Sequence, residues 1–140
     1  MGADLRFSTV VFDCRDPYVL ARFWAATLGY GPERGDEDWV ALQAEAEAGD
    51  LEWVRLIDAS GDPSDDLPEP RAPIAFQRVP EPKSGKNRLH LDLSAADEEA
   101  EARRLESLGA TRLWASEDPG DMFIVLGDPE GNEFCIVRAD

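Results

Sequence analysis

The chain has 140 residues, of which 43% are hydrophobic and 31% are charged, a composition typical of a globular protein. A chain of this length usually forms one domain with a core that needs no disulfides. Thirty acidic residues against fourteen basic ones give a net charge of -16. This charge disfavours nucleic acid and anionic membranes as partners, because both bind proteins through lysine and arginine, and it attracts cationic small molecules.

The sequence shows no membrane or secretion signal. No stretch approaches the roughly 20 apolar residues that cross a bilayer, and the first residues lack a basic segment followed by an apolar one. We therefore expect a cytoplasmic protein. Cys14 and Cys135 each lie in an apolar run, which predicts reduced thiols rather than a disulfide.

The first half of the chain predicts a strand, a helix and three more strands. The first strand covers residues 5–13. Asp16 followed by Pro17 is typical of a helix start, and Gly29 follows the last residue of the helical apolar stripe. The three later strands are expected near residues 38–42, 51–57 and 74–79.

The second half of the chain predicts the same order of elements. The segment 88–94 alternates as a strand, with leucines on one face and His90 and Asp92 on the other. Asp97 then begins a helix that ends at Gly109. Three strands follow near residues 111–115, 122–126 and 133–137.

These two cycles predict an internal repeat. The two helix starts are 81 positions apart and the two helix ends are 80 apart, and each helix ends in Leu-Gly. Subtracting this offset of 81 from position 90 gives Thr9, which therefore has the place in the first strand that His90 has in the second half of the chain. The chain 1–140 is therefore interpreted as a single domain of two βαβββ modules, module one at residues 4–80 and module two at residues 86–138.

Four stretches point to a known family. They are Phe23-Trp24 with Leu28-Gly29-Tyr30, the segment 76–83, the segment 86–92, and the turn Asp128-Pro129-Glu130-Gly131-Asn132 with Glu133-Phe134. With the repeat, they resemble the vicinal oxygen chelate superfamily, in particular its glyoxalase-like domains, over nearly the whole chain. The resemblance implies an α+β fold in which the two modules form a curled mixed-sheet cup. It also implies a small-molecule ligand and a homodimer.

In metal-dependent members of that superfamily, the first and last strands of each module supply the metal ligands. The resemblance places those positions at Thr9, Gln77, His90 and Cys135, and implies that they converge in the cup. Hard ions such as magnesium favour carboxylates, and none is present unless Asp92 or Glu133 turns inward. A divalent metal on His90, Gln77 and Cys135, with zinc the best match, is therefore not the favoured interpretation.

His90, the only histidine, is the candidate general base, and Asp92 on the same strand face is the residue that would orient its imidazole. Each residue also has a structural interpretation. His90 could be a hydrogen-bonded structural histidine, and Asp92 could be a capping carboxylate near the end of its strand. Cys135 is interpreted as a ligand contact or packing residue, and as a nucleophile only if His90 lowers the pKa of its thiol.

Aromatic residues and charged segments elsewhere in the sequence are further candidates for ligand binding. Trp39 and Trp53, each predicted in a strand beside an acidic residue, are candidate ligand contacts, and the acid-rich segments 33–52 and 58–69 would form either a cation-attracting rim or a solubilising surface. The basic residues of segment 83–88 are either an anion clamp or a connector whose charges balance nearby carboxylates.

Two functions follow. The first is a glyoxalase-like lyase or isomerase with His90 as base, in which Gln77 and Asp92 position an enolisable carbonyl compound. The alternative is a non-catalytic sequestering protein of the bleomycin-resistance type that holds a cationic aromatic compound.

Overall fold

The computed structural model describes residue 5 and residues 7–33, 35, 38–58 and 71–139. The elements are β1 (Val10–Cys14), α1 (Pro17–Leu28), β2 (Tyr30–Pro32), α2 (Asp38–Glu47), β3 (Trp53–Asp58), β4 (Ile74–Arg78), β5 (Leu91–Ala95), α3 (Glu98–Leu108), β6 (Thr111–Ala115), β7 (Phe123–Gly127) and β8 (Glu133–Arg138). The chain forms two compact units, Met1–Pro80 and Glu81–Asp140, which contain module one and module two respectively.

Module one is a four-stranded mixed sheet packed against α1. The strand order is β1-β4-β3-β2, with β1 parallel to β4 and the other pairs antiparallel. Its core is aromatic. Phe12 of β1 stacks on Trp24 of α1 and on Phe76 of β4, with ring centroids 5.4 and 5.3 Å apart. The apolar stripe of the helix is therefore buried on the sheet, as the helical spacing predicts.

The ends of α1 and α3 follow the sequence signals. Asp16 accepts from the backbone N–H of Val19 at 3.1 Å, and Asp97 accepts from that of Ala100 at 2.9 Å. Each helix stops at a glycine with a left-handed backbone, Gly29 in module one and Gly109 in module two. Both caps are local interactions, so the sequence predicts them directly.

Module one departs from the sequence prediction in two places. Residues 38–42 are not a strand but the start of α2, whose alanines, leucine, glutamine and glutamates favour a helix. The first of the three strands that follow α1 is instead β2, directly after Gly29. The first strand is shorter than predicted, because only residues 10–14 pair with β4 and Leu5 is 90% exposed. Positions 34, 36, 37 and 59–69 of the acid-rich segments lie outside the described residues.

Module two repeats the topology of module one. Its strand order is β5-β8-β7-β6, again with the first and last strands parallel and the other pairs antiparallel. The identical order confirms the predicted repeat of two tandem modules and the α+β class. Here β5 begins at Leu91 rather than at residue 88, which leaves Leu89 86% exposed.

The turn between β7 and β8 is built on a buried carboxylate. Asp128 accepts from the backbone N–H groups of Glu130 and Asn132, both at 2.9 Å, and from the Asn132 side chain. Gly131 has a φ of 82°, a conformation that glycine adopts at low cost. The motif at residues 128–132 therefore has a structural role in forming this turn, and no functional role is needed to account for it.

Two further observations concern the chain as a whole. Cys14 and Cys135 are both free thiols. Among the described residues, no helix combines the length and the apolar character that crossing a bilayer requires.

Candidate functional site

The sheet of module two has one face packed against α3. Ion pairs identify that face: Arg138 of β8 pairs with Glu98 of α3 at 2.6 Å, and Arg112 of β6 pairs with Glu99 at 2.9 Å. These contacts hold the pKa values of both glutamates below their usual range. Because side chains alternate along a strand, residues one position away point to the other face.

That other face, which we call the distal face, carries a row of four cross-strand neighbours. Asp92 of β5 pairs with Cys135 of β8, Cys135 with Val125 of β7, and Val125 with Trp114 of β6. A bulge between residues 112 and 114 of β6 sets the last pairing. The row is polar at the β5 end and aromatic at the β6 end.

The polar end of the distal face is a cluster of three functional side chains. His90 precedes β5, and its Nε2 lies 3.3 Å from Asp92 Oδ1. One ligand atom from each of His90, Asp92 and Cys135 can be chosen so that all lie within 4.8 Å of one another. The histidine and aspartate side chains are about half exposed, at 52% and 57%. A ligand can therefore reach both groups.

The Cys135 thiol is held in its neutral form. Burial raises its pKa above the ordinary value of 9.0, and the negative charge of Asp92 raises it further. Because the thiolate is the attacking species, this environment does not support Cys135 as a nucleophile.

Both lysines of the basic segment before β5 lie beside one carboxylate. Lys86 forms an ion pair with Glu133 that lowers the pKa of the glutamate, and Lys83 Nζ lies 4.0 Å from the same carboxylate. The Asn87 side chain donates to the backbone carbonyl of Glu133 at 2.9 Å. These contacts favour the connector interpretation over an anion clamp and hold the segment that leads to His90.

The aromatic end of the distal face consists of Trp114 and Phe123, two of the aromatic residues that the sequence offers as pocket surface, although it favours Trp39 and Trp53 as the ligand contacts. Trp114 is 56% exposed and meets Phe123 edge to face, with ring centroids 5.2 Å apart. Both residues lie in predicted strands, so the alternation of side chains along each strand was the signal that could have placed them on the distal face. Placing Trp114 in line with Cys135 requires the bulge, which the sequence does not reveal.

The two predicted tryptophans of module one differ in their surroundings. Trp39 lies in α2, so its predicted strand is wrong; its ring packs edge to face on Tyr18, and the Arg22 guanidinium lies 4.7 Å from its centroid. Those contacts tie α2 to α1. Trp53 lies in a strand as predicted, although β3 begins at this residue rather than at residue 51, and it is 45% exposed.

Thr9 and Gln77 are the other predicted site residues of module one. Thr9 is half-buried just before β1, with its hydroxyl 3.4 Å from that of Ser8. Gln77 is exposed on β4, where Asp13 and Trp53 are its cross-strand neighbours. Their convergence with His90 and Cys135 stays a prediction.

The chemistry of the cluster can be compared with the needs of a metal ion. An imidazole, a carboxylate and a thiol suit zinc, whereas magnesium and manganese need more oxygen ligands than these residues offer. His90, Asp92 and Cys135 would hold such an ion, with Asp92 in the place predicted for Gln77. Bound zinc would polarise a carbonyl group in its remaining position.

Comparisons with known proteins agree with this architecture. A comparison with curated proteins finds no significant match. Among solved structures, a glyoxalase/bleomycin resistance protein/dioxygenase family enzyme from Burkholderia phytofirmans PsJN is 19% identical, with a TM-score of 0.62 over 94% of this chain and 96% of that one. The fosfomycin resistance protein FosX from Mesorhizobium loti is 10% identical, with a TM-score of 0.62 over 99% and 95%.

A third similar structure is the bleomycin-binding protein from Streptomyces verticillus, determined with copper(II)-bleomycin. It is 14% identical, with a TM-score of 0.56 over 99% of this chain and 100% of that one. At these identities the likeness shows the fold alone. The family model described as the glyoxalase-like domain matches residues 9–137, nearly the whole sequence. The chain therefore belongs to the glyoxalase-like domain family.

Proposed function

We propose that the protein binds a small carbonyl compound on the distal face of module two and removes a proton next to the carbonyl group, as a lyase or isomerase does. The observation that carries the proposal is the pairing of His90 Nε2 with Asp92 Oδ1 at 3.3 Å, at an exposed position. Imidazole is the side chain most often used for this proton transfer.

Asp92 has the role of orienting the base. A carboxylate at this distance attracts the imidazole proton to Nε2, which leaves the lone pair on Nδ1 free to accept a proton. In the reaction, the substrate C–H bond breaks, its proton passes to Nδ1 of His90, and the electron pair moves onto the carbonyl oxygen. When the α-carbon carries a hydroxyl group, return of the proton to the former carbonyl carbon, with transfer of the hydroxyl proton to the former carbonyl oxygen, completes an isomerisation. When the β-carbon carries a leaving group, departure of that group with its bonding electron pair completes an elimination.

The row across the sheet indicates the shape of the substrate. Asp92 and Trp114 are three strand spacings apart, about 14 Å. A carbonyl near His90 therefore directs an apolar or aromatic part of the substrate toward Trp114, since Val125, between them in the row, is only 5% exposed. The net charge of -16 favours a neutral or cationic substrate over an anionic one.

Exchange of carbon-bound protons in D2O tests the proposal. We expect the protein to catalyse exchange at the α-carbons of 4-phenyl-2-butanone above the rate in a matched imidazole solution, as followed by proton NMR. His90→Gln and Asp92→Asn should return the rate to background, whereas Asp118→Asn, an exposed aspartate of the same module, should not. Catalysis that survives His90→Gln, or no catalysis at all, contradicts the proposal.

Two additions to this assay test the substrate shape and the metal. Trp114→Leu should raise the KM for 4-phenyl-2-butanone and leave that for 2-butanone unchanged, because only the phenyl ketone has a ring that extends toward the aromatic end. Exchange should persist in EDTA, and elemental analysis of protein purified without metal-affinity resin should find less than one metal ion per chain. Activity that depends on stoichiometric zinc would favour the metal-dependent alternative.

The second candidate function is sequestration of a cationic aromatic compound without catalysis. The exposed Trp114 beside Phe123 and the strongly acidic chain favour it, and a structural relative is a bleomycin-binding protein. Binding of a dicationic aromatic dye should then quench tryptophan emission, weaken as salt rises, and weaken in Trp114→Leu. Dye binding without ketone exchange would select this function.

Membership of the family and the composition support two further parts of the proposal. These are a cytoplasmic location and a homodimer. Light scattering on the purified protein tests the second, since a monomer at working concentration would contradict it.

A further inference from the structure

Helix α2 distinguishes module one from module two. It lies between β2 and β3, whereas the corresponding connection of module two, residues 116–122 between β6 and β7, is described throughout and contains no helix. Only Leu42 of α2 is fully buried. The inserted helix therefore contributes little to the core, and its presence calls for another explanation.

A cavity of about 270 Å³ lies where Leu42 of α2 approaches β2 and β3. Its lining consists of Pro32, Glu33, Leu42, Trp53, Val54 and Arg55. That volume is close to the lower end of the range found for small-molecule sites, about 300 Å³. The cavity is therefore suited to a ligand of one or two rings.

The lining has an apolar part and one ion pair. Trp53 supplies an indole that is 45% exposed, and Leu42 and Val54 are buried side chains. Arg55 Nη1 donates to Glu33 Oε1 at 2.7 Å, and both side chains are partly exposed. A carboxylate and a guanidinium are thus held side by side next to an aromatic surface, and each has more hydrogen-bonding sites than this one bond uses.

We propose that this cavity is a second ligand site, which takes a small planar ring with an N–H donor beside a carbonyl acceptor, as in a cyclic amide. The ring stacks on Trp53, its N–H donates to the Glu33 carboxylate, and its carbonyl oxygen accepts from the Arg55 guanidinium. Both hydrogen bonds are strengthened by the charge of the protein group.

The charges around the cavity favour a ligand that has no net charge. The Glu33–Arg55 pair is neutral as a unit, so it favours a ligand with matched donor and acceptor and no net charge. Glu52, the neighbour of Trp53 in the sequence, and the net charge of -16 disfavour an anionic ring. The site shares no residue with the distal face and does not depend on the function proposed for it.

The test uses 2-pyridone as probe and N-methyl-2-pyridone as its matched control, since a methyl group replaces the N–H donor while the ring and the carbonyl group are kept. Indole N–H signals of the full chain are followed by NMR as each compound is added. We expect saturable binding of 2-pyridone, a shift of the Trp53 signal, and at least fivefold weaker binding of the methylated compound. Benzoate should bind more weakly than 2-pyridone.

Variants separate this site from general stacking on exposed tryptophan. Trp53→Leu should weaken 2-pyridone binding at least fivefold, and Glu33→Ala should remove the preference over the methylated compound. Trp114→Leu and His90→Gln should change neither. Circular dichroism establishes that each variant is folded. Equal binding of the two pyridones, equal loss in Trp53→Leu and Trp114→Leu, or no saturable binding would overturn the proposal.

Discussion

Replacement of Asp128 by alanine tests whether the turn between β7 and β8 stabilises module two. The Asp128 side chain accepts from two backbone N–H groups, those of Glu130 and Asn132, and from the Asn132 amide. The residue is 3% exposed, so water cannot fully replace the carboxylate in the folded protein. The substitution therefore leaves several donors without their acceptor.

The magnitude follows from those donors. A part-buried donor left without its acceptor costs about 1–3 kcal/mol, and the two backbone donors dominate here, so we expect a loss of about 2–3 kcal/mol. A chain of 140 residues has an unfolding entropy of about 0.3 kcal/mol per kelvin near its Tm. The Tm should fall by roughly 7–10 °C.

Urea unfolding followed by tryptophan fluorescence measures the loss, and Asp118→Ala is the matched control. Asp118 accepts from the backbone N–H of Gly120 at 2.9 Å in a similar local turn, but the residue is exposed. Its removal should cost about 0.5 kcal/mol or less. Equal losses in the two variants would refute the argument that burial makes the Asp128 turn important.

Two further predictions concern titration. The bonds from Arg138 hold the pKa of Glu98 below its ordinary value of 4.5, so below that pH the unfolded state binds more protons and stability falls. Glu98→Gln should flatten this acid loss in urea unfolding, and an unchanged slope would contradict the assignment. Alkylation of Cys135 by iodoacetamide should rise with pH later than that of a free cysteine, and Asp92→Asn should move the profile to lower pH, as intact mass measures. An unmoved profile would mean that the carboxylate does not act on the thiol.

The fold was largely predictable because its signals are local. A capping aspartate at the start and a glycine at the end mark α1 and α3, and the constant offset between the modules reveals the repeat. Helix α2 was missed because a run of only five residues was read as a strand, although the next five favour a helix. Trp39 was misplaced with it.

The site was predictable only in part. His90 directly precedes β5 and Asp92 is its second residue, so their proximity is a local feature of the chain that the sequence can indicate. Cys135 reaches them through the pairing of β5 with β8, which joins residues distant in sequence. Trp114 depends in addition on a bulge, whose position is decided by backbone pairing rather than by residue pattern.

Proton removal by His90 depends on its arrangement with Asp92. Because the chain has one histidine, long-range ¹H–¹⁵N NMR reports this arrangement directly. In neutral imidazole, the two ring nitrogens give separate signals that identify the protonated one. We predict the proton on Nε2, a bare Nδ1, and loss of this preference in Asp92→Asn but not in Asp118→Asn. A proton on Nδ1, or the same tautomer in Asp92→Asn, would contradict the claim that Asp92 prepares His90 as a base.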